Sequence, residues 1–156
     1  MQKIVPNLWF DTQAEEAANF YVSIFKNSRI TNTMYYTEAG PGPAGSVLTV
    51  AFELEGQAFI AINGGPHFKF TPAISLMVNC ADQAEIDELW EKLSAFKEAE
   101  QCGWVADKYG LSWQIVPAEM DQMIREGDPV KLDRLMKALL KMKKLDLAAL
   151  KAAYEG

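Results

Sequence analysis

The sequence predicts an α+β fold: two βαβββ modules in tandem that form a curved mixed sheet, with a helical tail behind them. Three observations predict it. Short runs of β-branched and aromatic residues alternate with amphipathic helical stretches, the strand-helix order of the first part begins again at Ala73, and beyond Pro117 the periodic segments are all helical.

The first strand is predicted over 3–10, and Asp11-Thr12 follow as a helix cap with Glu15 and Glu16 in the first turn, where carboxylates complement the helix dipole. Ala14, Ala17, Ala18, Tyr21 and Phe25 recur at helical spacing up to Lys26-Asn27. Strands are predicted over 29–37, 46–54 and 57–63, separated by the loop Gly40-Pro41-Gly42-Pro43-Ala44-Gly45 and the turn Glu55-Gly56. The loop reads as a mobile hairpin connection. A second module opens with a strand over 73–79 and a helix from Asp82, whose capping box is closed by Glu85 and whose apolar stripe is Ile86, Leu89, Trp90 and Leu93. A weak strand near 97–101, the segment Cys102-Gly103-Trp104-Val105, a turn at Asp107-Lys108-Tyr109-Gly110 and a strong strand over 111–116 complete it. The tail reads as helices over 118–125, 129–142 and 146–154, with Pro129 in a first turn behind Asp128. Its leucines are too many to leave in water, so it is expected to cover apolar surface of the sheet or of a partner chain. The expected organisation is one domain, 1–156, holding a first module 3–64, a second module 72–117 and the tail 118–156.

Composition narrows the chemistry. A chain of 156 residues, 49% hydrophobic and 23% charged, can bury a core without disulfides or a structural metal. Cys80 and Cys102 are far apart in the chain, which suits reduced thiols in a cytoplasm. His67 is the only histidine, so a clustered zinc site or a Ser-His-Asp triad has little to draw on. A net charge of -6 repels a polyanion unless basic residues are concentrated, and the only concentration, Lys131 to Lys144, alternates with leucines as the solvated face of an amphipathic helix. No nucleic-acid partner is expected. No apolar run approaches the ~18 residues of a membrane span, and Met1-Gln2-Lys3 does not open a signal peptide, so a soluble cytoplasmic protein is expected.

Gly40-Pro41-Gly42-Pro43-Ala44-Gly45 formally satisfies the G-x-G-x-x-G pattern of dinucleotide-binding turns. Two prolines remove amides that would face a pyrophosphate, and a strand rather than a helix follows, so neither a nucleotide site nor a Rossmann-type S-adenosylmethionine site is expected.

Period-two alternation separates strand faces. Ile60 and Ile62, then Ile74, Leu76 and Val78, then Leu111, Trp113 and Ile115 form wholly apolar faces expected to meet the helices. Asn63, Ser75, Ser112 and Gln114 are then expected to look into a shared concavity rimmed by Leu8, Phe59 and Met77, a site for a small molecule. If the protein is instead an enzyme of proton or group transfer, Cys102 and Asp107 are the candidate acid, base or nucleophile.

Four stretches carry a resemblance: Pro6 to Tyr21 (P-N-L-W-F-D-T-Q-A-E-E-A-A-N-F-Y), Ile62 to Phe68 (I-N-G-G-P-x-F), Cys80 to Trp90 (C-x-D-Q-A-E-x-D-x-L-W) and Gly103 to Pro117 (G-W-V-A-D-K-Y-G-L-S-W-Q-I-V-P). Over about Lys3 to Pro117 the chain resembles the PhnB-like branch of the vicinal oxygen chelate superfamily, which includes glyoxalase I, bleomycin-resistance proteins and extradiol dioxygenases. The resemblance implies paired βαβββ modules curved round a site, commonly in homodimers, and a branch often labelled 3-demethylubiquinone 3-methyltransferase. The metal-ligand positions of metal-dependent relatives fall on Pro6, near Ala61, on Ala73 and on Gln114. None is a usual divalent-metal ligand. The reading that follows is a homodimeric, metal-free, cofactor-free binder of a small organic ligand, with Leu8, Phe59, Asn63, Ser75, Met77, Ser112 and Gln114 at its site.

Overall fold

Pro6 decides where the first strand begins. It has no amide to give a ladder, and in the computed structural model, which describes residues 1–156, strand β1 runs over Asn7–Phe10 rather than from Lys3. Upstream the Gln2 side chain substitutes for a strand: its Nε2 donates to the Ala58 carbonyl and its Oε1 accepts from the Ala58 amide.

Two compact units divide the chain, Met1–Lys69 and Phe70–Gly156. In the first, β1, α1 (Ala14–Ile24), β2 (Arg29–Tyr35), β3 (Val47–Leu54) and β4 (Gln57–Asn63) form the predicted βαβββ module. The sheet order is β1-β4-β3-β2, with β1 parallel to β4 and the other pairs antiparallel. Helix α1 packs on this sheet through Ala14, Ala17, Ala18 and Tyr21, all buried. Beneath it the Tyr21, Phe52 and Phe59 rings stack in series at centroid separations of 6.3 and 5.5 Å. Such pairs add roughly 0.5–1.5 kcal/mol each beyond their burial.

The loop between β2 and β3 is folded, not a free excursion. Tyr36 exchanges backbone hydrogen bonds with Gly45 and Ser46, and its ring lies so close to Gly42 that a Cβ there would come within 2.5 Å of it. The Tyr36 hydroxyl donates to the Asn63 carbonyl.

In the second unit, β5 (Ser75–Cys80), β6 (Trp104–Ala106) and β7 (Ser112–Pro117) form a sheet of order β5-β7-β6, and helix α2 (Gln83–Leu93) follows β5 in the chain. Half of the expected capping box is present, since Asp82 Oδ1 accepts from the Glu85 amide, while Glu85 Oε2 reaches one residue further back and accepts from the Ala81 amide instead of that of Asp82. The weak strand expected near 97–101 is instead a single 3-10 turn, Lys97–Ala99, followed by one bridge between Gln101 and Trp104. Lys-Glu-Ala-Glu offers no β-branched residue and no apolar alternation to hold a ladder. The next two amides go to the tail: Cys102 donates to the Met142 carbonyl and Gly103 to that of Lys143.

The tail itself is α3 (Ala118–Glu126), α4 (Pro129–Leu139) and α5 (Leu147–Glu155). Asp128 and Asp146 cap α4 and α5 by accepting from the Lys131 and Ala149 amides. Met123, Leu135, Leu145, Leu150 and Tyr154 bury themselves around Val116 of β7, so within this unit the tail covers its own sheet. No helix is long and apolar enough to cross a membrane.

Candidate functional site

Register fixes which side chains share a face. In the second sheet Ser75 pairs with Ser112, Met77 with Gln114, and Trp104 with Gln114, so these five residues lie on one face. The other face carries Leu76, Val78, Val105, Trp113 and Ile115, the more buried set, and α2 packs on this sheet. On the first face Gln114 Nε2 donates to Ser75 Oγ at 2.9 Å, while Met77 is 54% exposed and Ser112 is buried. The structure therefore brings Ser75, Met77, Ser112 and Gln114 together and adds Trp104, which was not among the expected site residues.

Strand β4 is turned the other way from the expectation. Phe59 and Leu8, at 6% and 4% exposure, lie on the face covered by α1, while Ile60 and Ile62 are half-buried on the opposite face. The reason is size. Ala61 sits on the same face as Phe59 and lets the alanines of α1 approach closely, with the flat Phe52 and Phe59 rings filling the space beside them; two isoleucines would hold the helix off. Leu8 and Phe59 thus belong to the core and rim no open concavity.

Asn63 is also occupied. Its Oδ1 accepts from the Ala14 amide at 2.8 Å and its Nδ2 donates to the Val47 carbonyl at 3.1 Å. It is the cap of α1 in place of Asp11-Thr12, because the residue preceding the helix, Gln13, makes no side-chain capping bond. The cap comes from a residue 49 positions away.

Asp107 is wholly buried, and its role is visible in its partners. Oδ1 accepts from the Tyr109 and Leu111 amides and Oδ2 from the Trp113 indole at 2.9 Å. With Gly110 at φ +86°, a left-handed conformation that favours glycine, the carboxylate closes the turn into β7. This arrangement is a structural staple rather than an acid or base open to substrate. Cys102 sits at φ +53° with its Sγ accepting from Gln101 Nε2 at 3.4 Å, in the loop that holds the tail. Cys80 is buried, and burial together with the Glu85 and Asp82 carboxylates pushes its thiol up to about 12, far from thiolate chemistry near neutrality.

The first unit holds hollows that alternation did not reveal. On the face opposite α1, Trp9, Met34 and Ile62 line a depression of about 300 Å³. The Trp9 indole donates to the Gly65 carbonyl and its ring covers Gly64 so closely that a Cβ there would lie 2.2 Å away. Beyond the end of β4, Asp11, Glu15, Tyr36, Pro43, Gly65 and His67 line a second cleft of about 570 Å³. The paired glycines at 64–65 and the Gly-Pro loop are the sequence signals for these walls, but nothing local shows that they converge.

The divalent metal of the superfamily does not fit these residues. No three His, Cys, Asp or Glu side chains gather where they could hold an ion. Of the four positions carried over by the resemblance, Ala61, Ala73 and Pro6 offer no side-chain donor, which leaves the Gln114 amide oxygen, a weak ligand, to stand alone. Elemental analysis of the purified chain is expected to find no stoichiometric zinc, nickel or iron, and one equivalent per chain would overturn this assignment. An S-adenosylmethionine cradle does not fit either, since the glycine-rich loop joins two strands and wraps Tyr36 instead of opening a helix.

A family model described as 3-demethylubiquinone-9 3-methyltransferase matches residues 2–116. Among solved structures, the PhnB protein of Bacillus cereus, assigned provisionally to that methyltransferase family, is 41% identical over 75% of this chain and 100% of its own, with a TM-score of 0.64. Protein PA1353 of Pseudomonas aeruginosa (19% identity, 75% of this chain and 98% of its own, TM-score 0.57) and a gene product of Arabidopsis thaliana (17%, 74% and 98%, TM-score 0.51) share the fold. No functionally curated protein matches. The family match stops where the helical tail begins, and everything before it follows one pattern: the chain belongs to the 3-demethylubiquinone-9 3-methyltransferase family in its PhnB-like branch, built on the glyoxalase/bleomycin-resistance-like fold.

Proposed function

We propose that the protein binds a small organic molecule, without a divalent metal, on the face of the second sheet that carries Ser75, Met77, Trp104 and Gln114. One observation supports this reading above the others: Gln114, which the resemblance places at a metal-ligand position of metal-dependent relatives, donates to Ser75 Oγ. The pair still offers the Gln114 Oε1 as acceptor and the Ser75 hydroxyl proton as donor, side by side. A ligand bearing an adjacent donor and acceptor, such as a carboxamide or a hydroxy ketone, matches them, and the Trp104 and Met77 side chains supply apolar contact. The enzymatic alternative relied on Cys102 and Asp107, and Asp107 is committed to its turn, so binding is the function with support.

Native mass spectrometry of the protein purified from its own host tests this reading. A retained organic molecule, released by denaturation, is the expected result, and the same spectrum reports whether the chain is the homodimer we also propose. Gln114→Leu keeps the side-chain volume and removes one hydrogen bond of about 1 kcal/mol, so Tm should move by only about 2–4 °C. The retained molecule should be lost. A variant that keeps the ligand at full occupancy would overturn the assignment of Gln114.

A further inference from the structure

We infer that the cleft of about 570 Å³ in the first unit is a separate binding site, for a small organic cation. Its volume lies within the roughly 300–1,000 Å³ of small-ligand pockets. All its walls belong to that unit, and hydrogen bonds tie two of them down: Tyr36 and Pro43 stand on the folded loop before β3, which is joined to Asn63 through the Tyr36 hydroxyl, and the Gly65 carbonyl accepts from the Trp9 indole. Apolar surface comes from Tyr36, Pro43 and Val47.

Charge selects the ligand. Asp11 and Glu15 are the acidic residues of the lining, no lysine or arginine lines it, and neither carboxylate takes part in an ion pair. An anion is disfavoured twice over, because the carboxylates repel it and the first amide of α1 that could receive it is already held by Asn63. A protonated amine, by contrast, finds two carboxylates in the chemistry they satisfy best, with the apolar wall left for its hydrocarbon part.

His67 makes the proposal measurable, since it lines the cleft and is the only histidine of the chain. Its imidazole signals in the NMR spectrum of the full chain are therefore unambiguous. Titration with benzylammonium should shift them, and the Gly64 and Gly65 amides, to saturation, whereas benzoate should not. The double variant Asp11→Asn with Glu15→Gln, both exposed positions, should keep the folded spectrum and weaken benzylammonium binding about tenfold or more. Gln114→Leu should leave that binding unchanged, which separates this site from the one on the second sheet. Failure to saturate, equal shifts with benzoate, undiminished binding by the double variant, or loss of binding in Gln114→Leu would each overturn the proposal.

Discussion

Trp113→Ala is expected to lower folding stability by about 3–5 kcal/mol, the range for deleting a large buried ring. The indole is 2% exposed on β7, beside Leu111 and Ile115, which are fully buried. Truncation opens a void among side chains that a short strand between two neighbours cannot move to refill. It also takes one donor from Asp107, a buried carboxylate whose further partners include the Tyr109 and Leu111 amides. For a chain of this size each kcal/mol is worth about 2–4 °C, so Tm should fall by about 6–20 °C. Trp113→Phe restores most of the volume without the indole donor, and should recover more than half of the loss. A melting temperature for Trp113→Ala within about 2 °C of the parent would mean that the ring packs against nothing.

The asymmetry between Trp113 and its neighbour Gln114 was legible in the sequence, and the reason is local. Alternation needs only a strand boundary, and Gly110 marks this one by the left-handed turn it permits. The Asp82 half of the capping box and the cap at Asp128 with Pro129 behind it are legible for the same reason, since both ends of each contact lie within four residues. What was not legible involves partners distant in the chain. Asn63 caps α1 from across the unit, a contact that no window around Asp11-Thr12 contains. Strand β4 has apolar residues on both faces, so the pattern alone could not choose between them, and the fit of Ala61 and Phe59 under the alanines of α1 decided it. The loop of glycines and prolines reads as mobile until Tyr36 is seen to organise it, with Gly40 and Gly42 there because the ring leaves no room for a side chain. The clefts of the first unit share this origin: they are made where loops from separate segments meet.

Deletion of residues 129–156 should have the larger effect, leaving a chain that aggregates or loses cooperative folding. The family match ends at residue 116, so the tail lies outside the part that the family model covers. In this chain the surface beneath the tail has been built to be covered. Val116 and Met123 would be stripped of Leu135, Leu145, Leu150 and Tyr154, all of them buried in the intact protein. Each such side chain contributes roughly 1.5–3 kcal/mol through burial, and four together approach the whole stability of an ordinary domain, about 5–15 kcal/mol. Hydrogen bonds go with them. The Cys102 and Gly103 amides lose the Met142 and Lys143 carbonyls, and Gln83, at the start of α2, loses both the Leu145 carbonyl and the Leu147 amide that its side chain joins. Gly103 shows how tight the fit is, since a Cβ there would come within 3.1 Å of Leu145. Leu145→Ala offers a milder form of the same test, with an expected cost of about 2–5 kcal/mol in an otherwise complete chain. Size-exclusion chromatography and thermal melting decide between the possibilities. A truncated chain that stays soluble and melts cooperatively near the parent temperature would show that the tail is an appendage, whereas aggregation together with a large loss in Leu145→Ala makes it part of the second unit's core.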